Sequence, residues 1–259
     1  GEQAALRVTT GVQNTIIGAK AGDALTDADF NVALGFQALT TDTLGSNSTA
    51  IGREALNNQN FTTATDSHNV AVGYQTGRSV TTGLSNTLVG ALTGDALTDA
   101  DFNVAIGLGS LGADTLGSKS VAVGTAALQA QNFTTATDSH NTAVGHNAGN
   151  DVTTGIQNTL LGSLSGDAVT TGSENTALGQ AALGQDTKGN KTVAVGNGAL
   201  ATQNFTTSTD SHNTAVGYTA GLSVTTGTQN TLIGSEAGDA LTTGGENVAV
   251  GAFALSAED

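Results

Sequence analysis

The sequence predicts an all-β fold, a parallel β-solenoid (β-roll) of about fourteen rungs that assembles with further copies of itself. Three observations carry that expectation. A five-residue motif returns at fixed intervals, bulky side chains are scarce, and the motif strand is apolar on both faces.

The motif is seen in Asn213-Thr214-Ala215-Val216-Gly217. Its closing glycine recurs as Gly18, Gly35, Gly52, Gly73, Gly90, Gly107, Gly124, Gly145, Gly162, Gly179, Gly196, Gly217, Gly234 and Gly251. The intervals run 17, 17, 17, 21 and start again, so a 72-residue unit of four minor repeats is present about three and a half times. So dense a repeat means one supersecondary unit per copy, stacked on its neighbours because no unit buries its own apolar face. Residues 1–259 therefore read as a single repetitive solenoid, roughly 65 Å tall at ~4.8 Å per rung. Val8-Thr9-Thr10-Gly11 matches Val80-Thr81-Thr82-Gly83, and the last copy runs into Ala252-Phe253-Ala254-Leu255 without a polar cap. The expectation is a segment of a longer fibre, or one capped by other chains.

Composition excludes an ordinary wide core. There are seven Phe, two Tyr, no Trp and no Met, so Ala, Val, Leu and Ile carry the apolar share. Such side chains suit thin spaces between closely stacked strands. With 36 Gly and no Pro, the turns are expected to reach positive φ through Gly, Asn and Asp. No cysteine means no disulfide framework and no thiolate metal site, which leaves the redox compartment open. A formal charge of -15 with seven Lys plus Arg argues against nucleic acid and anionic membranes as partners. Its plain reading is solubility for a long repetitive surface. No signal peptide is found, and no apolar run is long enough to insert across a bilayer.

Within a rung the first strand reads polar, Thr or Val, small, branched aliphatic, Gly, as in Asn31-Val32-Ala33-Leu34-Gly35. Two residues then lead to Ala-Leu or Ala-Gly, as in Ala38-Leu39 and Ala148-Gly149, and a Thr-rich connection follows. The spacing predicts strands of four or five residues, a two-stranded rung and no helix. Position three of the motif is Ala in ten copies and Ile16, Leu88, Leu160 or Leu232 in the other four, while position four is always Val, Ile or Leu. Neighbouring strand positions face opposite ways, so both faces need cover. One closes the rung's interior, and the cheapest cover for the other is an identical chain about a symmetry axis.

Eleven copies open with Asn, and the remaining three with Ser48, Ser120 and Thr192. Stacked in register, these amides are expected to hydrogen-bond to one another up the stack. Elsewhere Asp27-Ala28-Asp29-Phe30 occupies the place of Thr171-Gly172-Ser173-Glu174. A position that accepts both Phe and Glu belongs at the surface or rim.

Every fourth interval carries four extra residues, within 61–68, 133–140 and 205–212, expected to project as a loop from one edge. Each insertion ends in an Asp and a His, giving candidate binding residues Asp66, His68, Asp138, His140, Asp210 and His212. An Asp and a His so placed are chemically able to share a metal. Where three chains meet, they form rings that change charge near neutral pH. Two ligands per loop fall short of a usual metal site, and an Asx-type turn ending in a locally bonded His explains the pattern without a ligand. Asp23, Asp95, Asp167 and Asp239 recur every 72 residues, too sparsely for the calcium-binding nonapeptide of β-rolls. Calcium stays open at Asp27/Asp29 and Asp99/Asp101, where carboxylates cluster; otherwise no cofactor is expected. An ice-binding face needs an unbroken Thr array, and here Thr15, Thr87 and Thr142 alternate with Val32, Val70 and Val104. There is no nucleophile elbow, no phosphate-cradling loop and no carboxylate pair set apart from the repeat, so no enzyme is expected.

The rung pattern, as in Asn213-Thr214-Ala215-Val216-Gly217-Tyr218-Thr219-Ala220-Gly221 or Ser120-Val121-Ala122-Val123-Gly124-Thr125-Ala126-Ala127-Leu128, resembles the head repeats of trimeric autotransporter adhesins. It looks still more like the Asn-Thr-Ala-x-Gly repeats of phage tail-fibre proteins. The likeness covers almost the whole chain. It implies a left-handed parallel β-roll in which three chains wrap a common axis, used as an adhesive head or fibre shaft. The location implied is extracellular, on a cell surface or on a virion, with a surface glycan or receptor as partner. The 17- and 21-residue rungs are longer than the usual adhesin-head repeat, and no neck or coiled-coil stalk is seen. The alternative is a monomeric calcium- or ice-binding solenoid.

Overall fold

The computed structural model describes residues 1–256, and every regular element among them is a β-strand. Its contacts divide the chain into two units, Gly1–Thr125 with Asn132–Asp138, and Ala126–Gln131 with Ser139 onward. Each is a parallel β-solenoid of seven coils. In the first unit the coils contribute Thr15–Ile17, Val32–Leu34, Thr49–Ile51, Val70–Val72, Thr87–Val89, Val104–Ile106 and Val121–Val123, each parallel to the next. In the second they contribute Thr142–Val144, Thr159–Leu161, Thr176–Leu178, Val193–Val195, Thr214–Val216, Thr231–Ile233 and Val248–Val250.

The register follows the motif through both interval lengths. Thr15 lies opposite Val32 across a short interval, and Thr49 lies opposite Val70 across a long one. Thr and Val fill these strands because branched side chains pack well on a pleated surface. The strand ends at the motif glycine for a steric reason. Gly35 sits at φ 138, and a Cβ there would collide with the carbonyl oxygen of Gly52 on the next coil.

Two expectations about the coil are corrected. The principal strands are three residues long rather than four or five. A second strand of two residues forms only where Thr65–Asp66 lies on Gly45–Ser46, Thr137–Asp138 on Gly117–Ser118 and Thr209–Asp210 on Gly189–Asn190. Nor are the turns confined to Gly, Asn and Asp. Left-handed φ values recur at fixed coil positions in Leu39 (51), Glu54 (58), Phe30 (59), Gln75 (53) and Ala181 (53), and the only Asn residues among them are Asn47 and Asn147. A left-handed non-glycine residue costs roughly 1–2 kcal/mol. The repeat offsets this by giving many such N–H groups a partner on an adjacent coil: Gln37 to the Ala19 carbonyl, Leu39 to Ala55 and Asn47 to Asp29.

The interior is a thin filling of small and branched side chains, and its volumes are exchanged between positions. Ala33 and Ala50 at position three are each followed six residues on by a leucine, Leu39 and Leu56, all fully buried. Where Leu88 stands at position three, the residues at that place in the coil before it and in its own coil are Gly77 and Gly94. Added Cβ atoms there would lie 2.9 and 3.0 Å from the Leu88 methyls. Leu160 stands in the same relation to Gly149 and Gly166, at 2.7 Å from each. The four departures from Ala at position three therefore fill the space that glycine leaves.

Positions one and three point inward, and positions two and four outward. The third is buried in every coil from Ala33 to Ala249. The fourth is not: Leu34 is 41% exposed, Ile106 39%, Val216 36% and Ile233 40%. The chain thus covers one apolar face of its strands and leaves the other as an aliphatic column beside Thr and Val. Phe30, Phe102, Glu174 and Glu246, the interchangeable position, are all exposed as expected.

Candidate functional surface

A buried polar spine runs beside the apolar filling. The Oδ1 of Asn69 accepts the backbone N–H of Asn86 at 2.9 Å, and Asn86 does the same for Asn103 at 3.0 Å. Each Nδ2 donates to a carbonyl of the next coil, Asn69 to Gly83 and Asn86 to Ala100, both at 2.7 Å. The amides stack in register as expected, but their main partners are backbone groups. Direct amide–amide bonds are fewer and longer, such as Asn86 to Asn69 at 3.3 Å.

The three copies that open with Ser or Thr mark a different network. Asp42 is fully buried, and its Oδ1 accepts the N–H groups of Gly45 and Phe61, both at 3.0 Å. Its Oδ2 accepts Gln59 Nε2 at 2.6 Å, and that amide also donates to Ser48 Oγ at 2.8 Å. Gln59 Oε1 in turn accepts Asn69 Nδ2 at 2.9 Å. An Asn in place of Ser48 would intrude on the space Gln59 occupies. The same arrangement returns in Asp186, Gln203, Thr192 and Asn213.

This network anchors the insertion. Phe61 is buried at its base, Thr62, Thr63 and Ala64 are exposed, and the chain then turns back as the strand Thr65–Asp66. Only the middle of the expected loop projects. The candidate acids Asp66, Asp138 and Asp210 all lie exposed on such short strands. Asp66 accepts Asn47 Nδ2 at 2.9 Å, Asp138 pairs with Lys119 at 2.5 Å, and Asp210 pairs with Lys191 at 2.5 Å. The hydrogen bond from Lys191 holds the Asp210 carboxyl below its usual range, and the same bond raises Lys191. His68, His140 and His212 are exposed in left-handed conformation, φ 52, 51 and 49, at the coil position filled elsewhere by Phe30 or Glu174. His212 lies close enough to Asp210 for its charge to help lower that carboxyl. Among the described residues no group of three or more His, Asp or Glu is placed to hold a metal ion. The clustered carboxylates are engaged within the chain: Asp27 accepts Thr10 Oγ1 at 2.5 Å, and Asp29 accepts the Val12 N–H at 2.7 Å.

One exposed cluster escapes a reading along the chain. The residues that follow successive motif glycines stack, as the ladder from Glu54 N–H to Phe36 carbonyl and from Gln75 N–H to Arg53 carbonyl shows. This puts Arg53 between two rings, its guanidinium carbon 6.0 Å from the Phe36 centroid and 5.6 Å from that of Tyr74. Reading the sequence down its repeat columns rather than along the chain is the signal that finds it.

Fold and surface together define a β-solenoid repeat protein with an acidic exterior and one uncovered aliphatic face. No protein-family model matches the chain, and no curated protein or solved structure does so either.

Proposed function

We propose that the chain is a rigid structural and adhesive element of an extracellular or virion fibre, an adhesin head or tail-fibre shaft, built as a homotrimer. The observation that supports this most is the aliphatic fourth-position column, exposed at Leu34 and Ile106 in one unit and at Val216 and Ile233 in the other. An ordered array of Val, Ile and Leu on a regular strand face is a poor surface to leave in water. Three copies about an axis give each column an identical partner with matching rung spacing. Parallel ladders, inter-coil amide bonds and the buried Asp42 and Asp186 networks then stiffen each unit, which holds its edges at fixed distance from the particle or cell. On this reading the insertions bearing Asp66, His68, Asp138, His140, Asp210 and His212 face outward to a surface glycan or receptor.

Static light scattering tests it. The expected mass is about three times the 25.4 kDa of the chain. A single-chain mass at micromolar concentration overturns the proposal.

A further inference from the structure

We infer that Phe36, Arg53 and Tyr74, with Glu54 and Gln75, form a binding site for a neutral pyranose sugar. The inference rests on the adhesive part of the proposed function and places that activity away from the insertions.

The first argument is that the coil does not require these residues. Positions that build the coil are the same in every 72-residue unit: Asp42, Asp114 and Asp186 agree, as do Gln59, Gln131 and Gln203, and Phe61, Phe133 and Phe205. In the column after the motif glycine, Phe36, Arg53 and Tyr74 become Leu108, Thr125 and His146, then Gln180, Asn197 and Tyr218. One column further, Gln37, Glu54 and Gln75 become Gly109, Ala126 and Asn147, then Ala181, Gly198 and Thr219. All these sequences make the same coil. The cluster therefore occurs once for a reason other than folding.

The second argument is that the cluster is pre-organised. Glu54 Oε1 accepts both Arg53 Nε and a terminal guanidinium nitrogen at 3.0 Å, and its Oε2 accepts Gln75 Nε2 at 2.7 Å. The Gln75 bond, followed by those from Arg53, keeps the Glu54 carboxyl below its usual range. Arg53 is thus fixed between the rings while remaining 59% exposed, and Phe36 and Tyr74 are 45% and 44% exposed. Ordering these side chains before a ligand arrives removes part of the entropy cost of binding.

The third argument is chemical fit. Beyond Phe36 in the stack stands Ala19, and beyond Tyr74 stands Ala91, so the next side chain of the column on the side away from Arg53 is a methyl group in both cases. An aromatic face carries negative charge density and receives the polarised C–H groups on one face of a pyranose. Gln37, Glu54 and Gln75 occupy the adjoining column, each next in the chain to Phe36, Arg53 and Tyr74, and their amides and carboxylate suit hydroxyl groups, the pattern of a few placed polar groups beside apolar surface. The Arg53 charge is already balanced by Glu54, and the chain's net charge of -15 disfavours an acidic sugar.

The test uses the full chain carrying Tyr218→Phe, which leaves Tyr74 as the only tyrosine in a protein with no tryptophan. It is titrated with the methyl glycosides of glucose, galactose, mannose, N-acetylglucosamine and glucuronic acid. Tyr74 emission and saturation-transfer NMR are the readouts. At least one neutral glycoside is expected to give a saturable response in both, weakened tenfold or more by Phe36→Ala and by Arg53→Ala and unchanged by Phe102→Ala. The glucuronide is expected to bind less well. No saturable response to any neutral glycoside overturns the inference, as does a response that survives Phe36→Ala. So does a fall in light-scattering mass on Phe36→Ala, which would make the cluster a contact between copies. A threefold mass with no sugar response removes this site and keeps the fibre; a sugar response from a single-chain mass does the reverse.

Discussion

Gln59 Nε2 donates to Asp42 Oδ2 at 2.6 Å, and solvent reaches neither side chain. Every other partner of this carboxylate is a donor too, the N–H groups of Gly45 and Phe61. Asp42→Ala leaves three buried donors without an acceptor, and an orphaned buried group costs about 1–3 kcal/mol. The expected loss is about 3–5 kcal/mol in denaturant unfolding. Asp186→Ala is expected to lose the same amount, because Gly189, Phe205 and Gln203 surround it in the same way. Asp42→Asn keeps an acceptor for both N–H groups and loses less.

Leu88 and Gly77 share one volume. Gly77→Ala places a Cβ 2.9 Å from the Leu88 methyl at a residue already at φ 59, and it is expected to destabilise. Leu88→Ala opens a cavity worth about 2–5 kcal/mol. Combined as Gly77→Leu with Leu88→Ala, the pair reproduces the arrangement of Leu56 and Ala71 and recovers part of both losses. A double-mutant cycle by thermal or denaturant unfolding reads that coupling, and strict additivity overturns the exchange of volumes.

Asp167 supplies a pH signature. Partial burial raises its carboxyl above 3.8, and the nearby Asp151 charge adds to the effect. The folded state then holds this proton more tightly than the unfolded state, so Asp167 detracts from stability at neutral pH. That burden is relieved as pH falls through the window above 3.8. Asp167→Asn is expected to raise Tm at pH 7. The gap between variant and parent is expected to close as pH approaches 3.8. A gap that widens towards acid contradicts the assignment.

The outward column separates assembly from folding. Leu34→Glu, Val216→Glu and Ile233→Glu put charge where the side chain already meets water in the chain alone, so each coil keeps its interior. Light scattering is expected to show the triple variant at single-chain mass while far-UV circular dichroism keeps its β signature. An unchanged mass would show that this column is not the contact between copies.

Chelation distinguishes the fibre from a calcium-dependent solenoid. Because Asp27 and Asp29 are engaged by Thr10 and Val12, excess EDTA is expected to leave Tm unchanged. A fall reversed by added calcium would favour the alternative.

The fold was legible because it is written many times. Ala, Val and Gly at fixed intervals predicted the parallel coil, and the strand register follows the motif through both interval lengths. The candidate acids were legible as repeated residues, yet their partners were not. Asn47, Lys119 and Lys191 lie on a neighbouring coil, and only stacking brings them to Asp66, Asp138 and Asp210. Left-handed leucines such as Leu39 and Leu56 were equally hidden, since local preference disfavours them and only inter-coil hydrogen bonds hold them.

By itself the sequence determined the coil, the spacing of its turns and the apolar character of both strand faces, because a period in the residues becomes a period in space. Only the tertiary structure decided which face is sealed, which polar groups meet inside and which side chains share a column. Those are relations between coils, and a side chain's neighbours above and below lie 17 or 21 residues away.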